Sequence, residues 1–331
     1  MKSFDTSEIF YIKDQSNFEE LALKIYHYQS KHNDFYSEYS NLILKGKKPT
    51  TTKQIPFLPI SFFKTNKIIL NNLNHKLIFK SSGTSGVRSS HYVADLELYK
   101  KSFIKNFLQH YHTIEDICII GLLPSYETNE GSSLIYMINE LIKISNNEYS
   151  GFYNNNFQEL DKTLKTLELN KTNTILIGVS YALLDFGKAY PQKLKNTIVI
   201  ETGGMKGKRK EMLKEELHKT LEDYFGLNNI HSEYGMTELL SQAYSNRDGK
   251  FNQPAWMKIL IRDINDPLSY VKEGKTGGIN IIDLANINIQ KEIADAQAVV
   301  ISEALKAANI EILGGETMFF EQIMGQIAKG K

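Results

Sequence analysis

Cysteine is nearly absent: the 331 residues hold one, Cys118, inside the apolar run DICIIGLL. A single thiol excludes a disulfide framework and a cysteine-based zinc site within one chain. Charge of neither sign is in surplus, with 39 basic residues against 38 acidic and a formal net charge of +1. No global field therefore points to nucleic acid or to an anionic membrane. No apolar run approaches the length of a membrane span, and the opening MKSFDTSEIFYIKDQ lacks the apolar stretch of a signal peptide. The expectation is a soluble cytoplasmic protein with no nucleic-acid partner. Proline is scarce, and two of the seven fall among aromatics in IPFLPISFFK (55–64), which reads as an extended, packed segment. What the chain does have is 18 Tyr and 17 Phe, which suit a deep, partly apolar pocket and an ordinary core equally well.

Short apolar runs alternate with helical patterns along most of the length. Residues 4–45 carry apolar side chains at helical spacing. KLIFK (76–80) reads as a strand, 95–111 as an amphipathic helix, 116–123 as a strand and 131–144 as a helix, followed by an Asn-rich turn at 146–156. Then come helix 157–169, strand 173–180, helix 181–190, strand 196–204, a charged helix from 208 to 226, and a strand entering the turn at 229–238. This alternation predicts parallel βαβ units in a layered α/β fold. Ligands in such sheets bind at the carboxyl ends of the strands, and three polar turns follow strands here.

The first turn is Ser81-Ser82-Gly83-Thr84-Ser85-Gly86. Its glycines let backbone N–H groups converge on an anion and its hydroxyls add donors, although the spacing is not that of a Walker loop. A plain Ser/Gly loop fits these six residues equally well. The second is ETGGMKGKRK (201–210): Gly203 and Gly204 permit close approach to a flat ligand, with Lys206, Lys208, Arg209 and Lys210 nearby. A solvated strand-to-helix turn is the simpler reading of that segment alone. The third is SEYGMTEL (232–239), where Gly235 turns the chain, Tyr234 offers a ring, Thr237 a hydroxyl and Glu238 a carboxylate able to hold Mg²⁺.

In this order and at these separations the turns resemble the adenylate-forming superfamily. IPFLPISFFK, SSGTSG, ETGGMKGKRKEM and SEYGMTELLSQAY are more similar to its acyl-protein synthetases, the LuxE-like long-chain fatty acid–protein ligases, than to a generic CoA ligase. The resemblance runs over about residues 5–286. It implies the large N-terminal domain of an adenylate-forming enzyme, with parallel-rich sheets flanked by helices. It also implies ATP and Mg²⁺, activation of a long-chain fatty acid as acyl-AMP, transfer of the acyl group to a protein thiol, and a fatty acid reductase as partner, as in bioluminescence systems. Carried onto this chain, it puts Ser81 to Gly86 on the β- and γ-phosphates and Gly203 and Gly204 beside the adenine. Tyr234 and Gly235 border the base, Thr237 reaches the α-phosphate, and Glu238 places the metal. A phenylacetate-type CoA ligase, or a nucleotide-binding assembly protein without catalysis, shares the same motifs.

Residues 287–331 resemble instead the Ala-rich end of flotillin-like scaffold proteins. They are expected to form a helical tail, with a long helix at about 289–310 through which chains could associate. That tail has no cysteine, and Cys118 reads as a small buried hydrophobe, so self-acylation is not expected. Arg88, His91, His110, His112, Trp256, Asp283 and the KGKK run at 45–48 have plain structural readings.

Overall fold

A computed structural model describes residues 5–82, 87–123, 131–153, 156–203, 212–246, 249–263, 266, 269–271, 274–286, 291–293 and 310–312. Among them the helices are α1 (Gln15–His32), α2 (Asp34–Leu44), α3 (Phe62–Thr65), α4 (Leu96–Tyr111), α5 (Ser133–Ser145), α6 (Phe157–Leu169), α7 (Ser180–Ala189) and α8 (Lys214–Phe225). The strands are β1 (Leu58–Pro59), β2 (Leu77–Lys80), β3 (Ser90–Val93), β4 (Cys118–Leu122), β5 (Gly151–Phe152), β6 (Thr174–Val179), β7 (Thr197–Thr202), β8 (His231–Tyr234), β9 (Ala243–Ser245), β10 (Met257–Asp263), β11 (Tyr270–Val271), β12 (Gly274–Asp283), β13 (Lys291–Ile293) and β14 (Ile310–Ile312).

The chain divides into two compact units. One comprises 1–62, 70–72 and 255–331; the other comprises 63–69 and 73–254. The second unit carries a sheet in the order β5-β4-β6-β7-β8-β9. Its first five strands are parallel and β9 closes one edge antiparallel. Every residue of CIIGL in β4 and TILIGV in β6 is buried, as continuous apolar runs must be when helices cover both faces. Helix α4 lays Leu98, Tyr99, Phe103 and Phe107 into the core and starts at Asp95, whose carboxylate accepts the Leu98 N–H at 3.0 Å. The expected α/β class, a parallel-rich sheet flanked by helices, is the one observed.

In the first unit, 4–45 is not one helix. Asp14 and Asn33 interrupt it, their side chains accepting the N–H groups of Asn17 (2.8 Å) and Tyr36 (3.1 Å). Short amide and carboxylate side chains take backbone donors in this way and start new helices. A sheet ordered β1-β13-β12-β10-β11, with β14 also on β12, completes this unit. Trp256 is fully buried there, its ring edge-on to Phe10 at 4.9 Å, which bears out its reading as a packing residue.

Two expectations need correcting. The helix expected from 208 begins at Lys214, and residues 204–211 lie outside the described ones. The helix expected at about 289–310 is replaced at its start by β13, which pairs antiparallel with β12 and parallel with β1. At its end β14 pairs parallel with β12. Both strands sit in alternating stretches, INIQKEI and NIEI, whose period of two is a strand signal that the Ala-rich run between them obscures. The rest of 287–331 lies outside the described residues.

Candidate functional site

The second and third turns leave the sheet side by side. Strands β7 and β8 run parallel with Ile200 opposite His231, Glu201 opposite Ser232 and Thr202 opposite Glu233. Gly203 and Tyr234 therefore emerge at the same carboxyl edge. Strand β6 ends there too, with Val179 opposite Thr202. Gly203 has φ +66°, a left-handed conformation that a side chain would strain. Gly204 lies outside the described residues, as do Lys206, Lys208, Arg209 and Lys210.

The first turn joins hairpin strands β2 and β3. Its base is closed by Ser81 N–H to the Ser89 carbonyl at 3.1 Å and by Ser89 N–H to Ser81 Oγ at 3.0 Å. Ser81 is half-buried and Ser82 exposed, while Gly83, Thr84, Ser85 and Gly86 lie outside the described residues. Two positions past Ser89, the buried ring of His91 places Nδ1 2.9 Å from the Thr237 carbonyl oxygen. That contact ties the base of the first loop to the third turn. Helix α4 fixes the chain just beyond: Asn106 donates to the Gln242 carbonyl at 2.7 Å, and the Ser102 and Ser241 hydroxyls lie 3.0 Å apart. Thr237 is half-buried, Glu238 buried and Gly235 exposed.

Gly235 has a reason beyond turning the chain. A Cβ there would come 2.6 Å from Glu233 Oε1, and Glu233 is buried and accepts the Thr202 hydroxyl at 2.5 Å. Gly235→Ala should displace that buried carboxylate and cost about 1–3 kcal/mol of stability, the scale of forcing a buried side chain off its rotamer. Urea unfolding would measure it. The cost should shrink when Glu233→Ala is combined with it; equal costs in both backgrounds would separate the two residues. Tyr234, also buried, meets Phe251 edge-on at 6.1 Å, and burial first and the Glu233 charge second push its phenol up. Its Oη is buried with no hydrogen-bond partner among the described residues.

Beneath Gly203 sits Glu201, 5% exposed. One of its oxygens lies 2.9 Å from Lys214 Nζ and 3.5 Å from His218 Nε2, and the other accepts the Ser180 hydroxyl at 3.1 Å. Burial alone would raise this carboxyl, but the His218 hydrogen bond and the Lys214 charge outweigh it and hold the group at about 2. Burial, helped by His110 and His218, lowers His231 to about 4. Its Nδ1 faces the Tyr111 hydroxyl at 3.3 Å.

The family model for the acyl-protein synthetases, LuxE, matches residues 5–310. The chain belongs to this family. No curated protein matches the sequence. Among solved structures, 2-hydroxyisobutyryl-CoA ligase with 2-HIB-AMP and CoA in its thioesterification state is similar at TM-score 0.60 and 10% identity, over 88% of this chain and 66% of that one. An open conformation of the same ligase, again with 2-HIB-AMP and CoA, is similar at TM-score 0.58 and 8% identity, over 84% and 63%. The O-succinylbenzoate coenzyme A synthetase of Bacillus subtilis with ATP and magnesium matches at TM-score 0.45 and 16% identity, over 68% and 44%. The LuxE family member thus spans about 63% of the open ligase's length, and the two likenesses above 0.5 show that it shares the fold of that ligase. Family membership reaches past the boundary expected at 286, which agrees with β13 joining the sheet.

The structure brings Gly203, Tyr234 and Gly235 to one edge and links Thr237 to the base of the Ser81 loop. Arg88 is exposed, as its plain reading supposed. His110 lies against the Tyr244 ring at 4.9 Å and His112 ends α4; no group of three His, Cys, Asp or Glu able to hold a metal occurs among the described residues. Sequence reasoning missed Glu201, Lys214, His218 and Glu233. A visible signal existed for Glu201, a carboxylate directly after the apolar run IVI in TIVIET.

Proposed function

We propose that this chain activates a long-chain fatty carboxylate with ATP and passes the acyl group to a thiol of another molecule, a fatty acid reductase subunit being the partner the family implies. The observation that supports this is that the second and third turns leave the sheet at one edge while His91 ties the third to the hairpin of the first, in a chain of the LuxE family. A carboxylate oxygen bonds to the α-phosphorus, the bond from that phosphorus to the bridging oxygen breaks, and pyrophosphate leaves. A thiolate then attacks the acyl carbon and AMP departs.

The residues present fit a nucleotide. Gly203 and Gly235 lack the side chains that would block a flat ring, and the buried Tyr234 hydroxyl has no hydrogen-bond partner among the described residues. Ser81 and Ser82 open the loop proposed for the β- and γ-phosphates, with Gly83 to Gly86 completing it. Mg²⁺ is held elsewhere by one or two carboxylates plus substrate phosphates rather than by an all-protein cage, which suits the single carboxylate of Glu238. When bound, the ion would neutralise phosphate charge. Thr237, its carbonyl fixed by His91, would present its hydroxyl to the α-phosphate, where negative charge grows.

Cys118 is not suited to be the acceptor thiol. Cys118 is fully buried, and burial pushes its thiol up to about 11 against a small pull from Ser150. At pH 8 its thiolate fraction is then about 100-fold below that of an ordinary thiol. Native protein should react with iodoacetamide at least that much more slowly than unfolded protein. After incubation with ATP and labelled fatty acid, it should carry no hydroxylamine-labile label; a labile label on Cys118 would overturn this. Coenzyme A as acceptor, suggested by the CoA-bound ligases of similar fold, is separated by offering each thiol in turn. The reading as a whole is tested with pure protein, ATP, Mg²⁺ and a panel of fatty acids. Acid-dependent pyrophosphate release is expected, and its absence with every acid refutes the proposal.

A further inference from the structure

The first residue of the second turn is a carboxylate on which β7, α7 and α8 meet, and the proposed function gives it no role. Glu201 belongs to β7, two positions before Gly203. Ser180, which donates to Glu201 Oε2 at 3.1 Å, opens α7 directly after β6. Lys214, 2.9 Å from Oε1, is the first residue of α8 and so marks the point where the chain returns from the glycine turn. His218, one helical turn later, shares Oε1 at 3.5 Å and reaches the Ser232 hydroxyl of β8 at 3.2 Å. The same Lys214 ammonium rests 4.6 Å from the centre of the Phe251 ring, whose neighbour is Tyr234. One buried charge therefore touches the residue after β6 and the first turn of α8, and through His218 it reaches β8.

We infer that Glu201, with Lys214, is a positioning pair that holds Gly203 and Tyr234 in the arrangement that accepts the nucleotide. This rests on the function proposed above. A buried ion pair is weak evidence for stability, since a matched apolar or neutral pair often serves the fold as well. Its presence here is explained if the pair orients this edge: the short Lys214–Glu201 contact fixes the start of α8 against the strand that ends beside Gly203. Phe251 then carries the position of Lys214 to Tyr234.

The test compares Glu201→Gln, Lys214→Met and the double variant, each in the full chain, by fatty acid-dependent pyrophosphate release and by thermal melting. Glu201→Gln alone strands a buried cation and can fail to fold, so the double variant, neutral and close in shape, decides. The expected result is a double variant that melts near the wild type, with KM for ATP raised tenfold or more and kcat within about threefold. A double variant with wild-type KM shows the pair to be merely structural and overturns the inference, as does an equal loss in kcat and kcat/KM at unchanged KM. Failure of the double variant to fold also overturns it, because the pair then serves the fold itself. Wild-type protein without acid-dependent pyrophosphate release refutes the proposed function and the inference with it, whereas an active wild type beside an unaffected variant refutes the inference alone.

Discussion

Glu238→Gln is expected to weaken Mg²⁺-dependent ATP binding by about 1–3 kcal/mol, or 5- to 150-fold, the scale of losing a charged hydrogen-bonding partner. Glu238 is buried at the third turn, next to the Thr237 carbonyl that His91 holds. The substitution keeps size and shape and removes the charge, so the metal-dependent part of binding should fall while metal-free binding changes little. Calorimetric titration with ATP, with and without Mg²⁺, reads the two separately. Unchanged binding in both arms would remove Glu238 from the site. A thermal melt guards against a folding defect, since the carboxylate is 3% exposed.

Acid should unfold the protein through a small set of buried groups. The Glu201 carboxyl stands at about 2 in the folded chain against an ordinary 4.5, for the reasons of burial, His218 and Lys214 given above. The unfolded chain therefore binds a proton first as pH falls. The stability linked to this group is fully present above pH 4.5 and is lost progressively toward pH 2, about 3 kcal/mol in all. His231 acts in the same direction at higher pH. Burial first, then His110 and His218, lower it from 6.5 to about 4, so an unfolded chain charges this ring earlier and stability declines as pH drops from 6.5 toward 4. Urea midpoints between pH 7 and pH 3 should fall throughout. His231→Gln should flatten the upper part of the curve and leave the lower part in place; a parallel curve in that variant would contradict the assignment.

The sheet of the second unit was legible because parallel strands buried on both faces are written as unbroken apolar runs, and CIIGL and TILIGV are such runs. Short strands were not. β3, β5 and β9 are two to four residues long and exist through their partners rather than through their own pattern. The tail misled for a related reason: the Ala-rich helical period between 294 and 309 outweighed two three-residue strands whose stability comes from β12. At the site, the turns were readable because glycine and hydroxyl residues cluster where strands end. Their mutual placement was not, since His91 and Thr237 are 146 residues apart and meet only through the fold. Glu201, Lys214 and His218 were passed over because charged residues around a helix start look like a solvated face until the strand beneath them is known.

The central claim is that a carboxylate oxygen attacks the α-phosphorus of ATP at this edge, and one isotope measurement tests it most directly. Fatty acid labelled with ¹⁸O in both carboxylate oxygens is incubated with ATP, Mg²⁺ and the protein, and hydroxylamine is added to take the acyl group. The account predicts AMP carrying one ¹⁸O atom per turnover, with unlabelled pyrophosphate. ADP as product, or AMP without label, would contradict it.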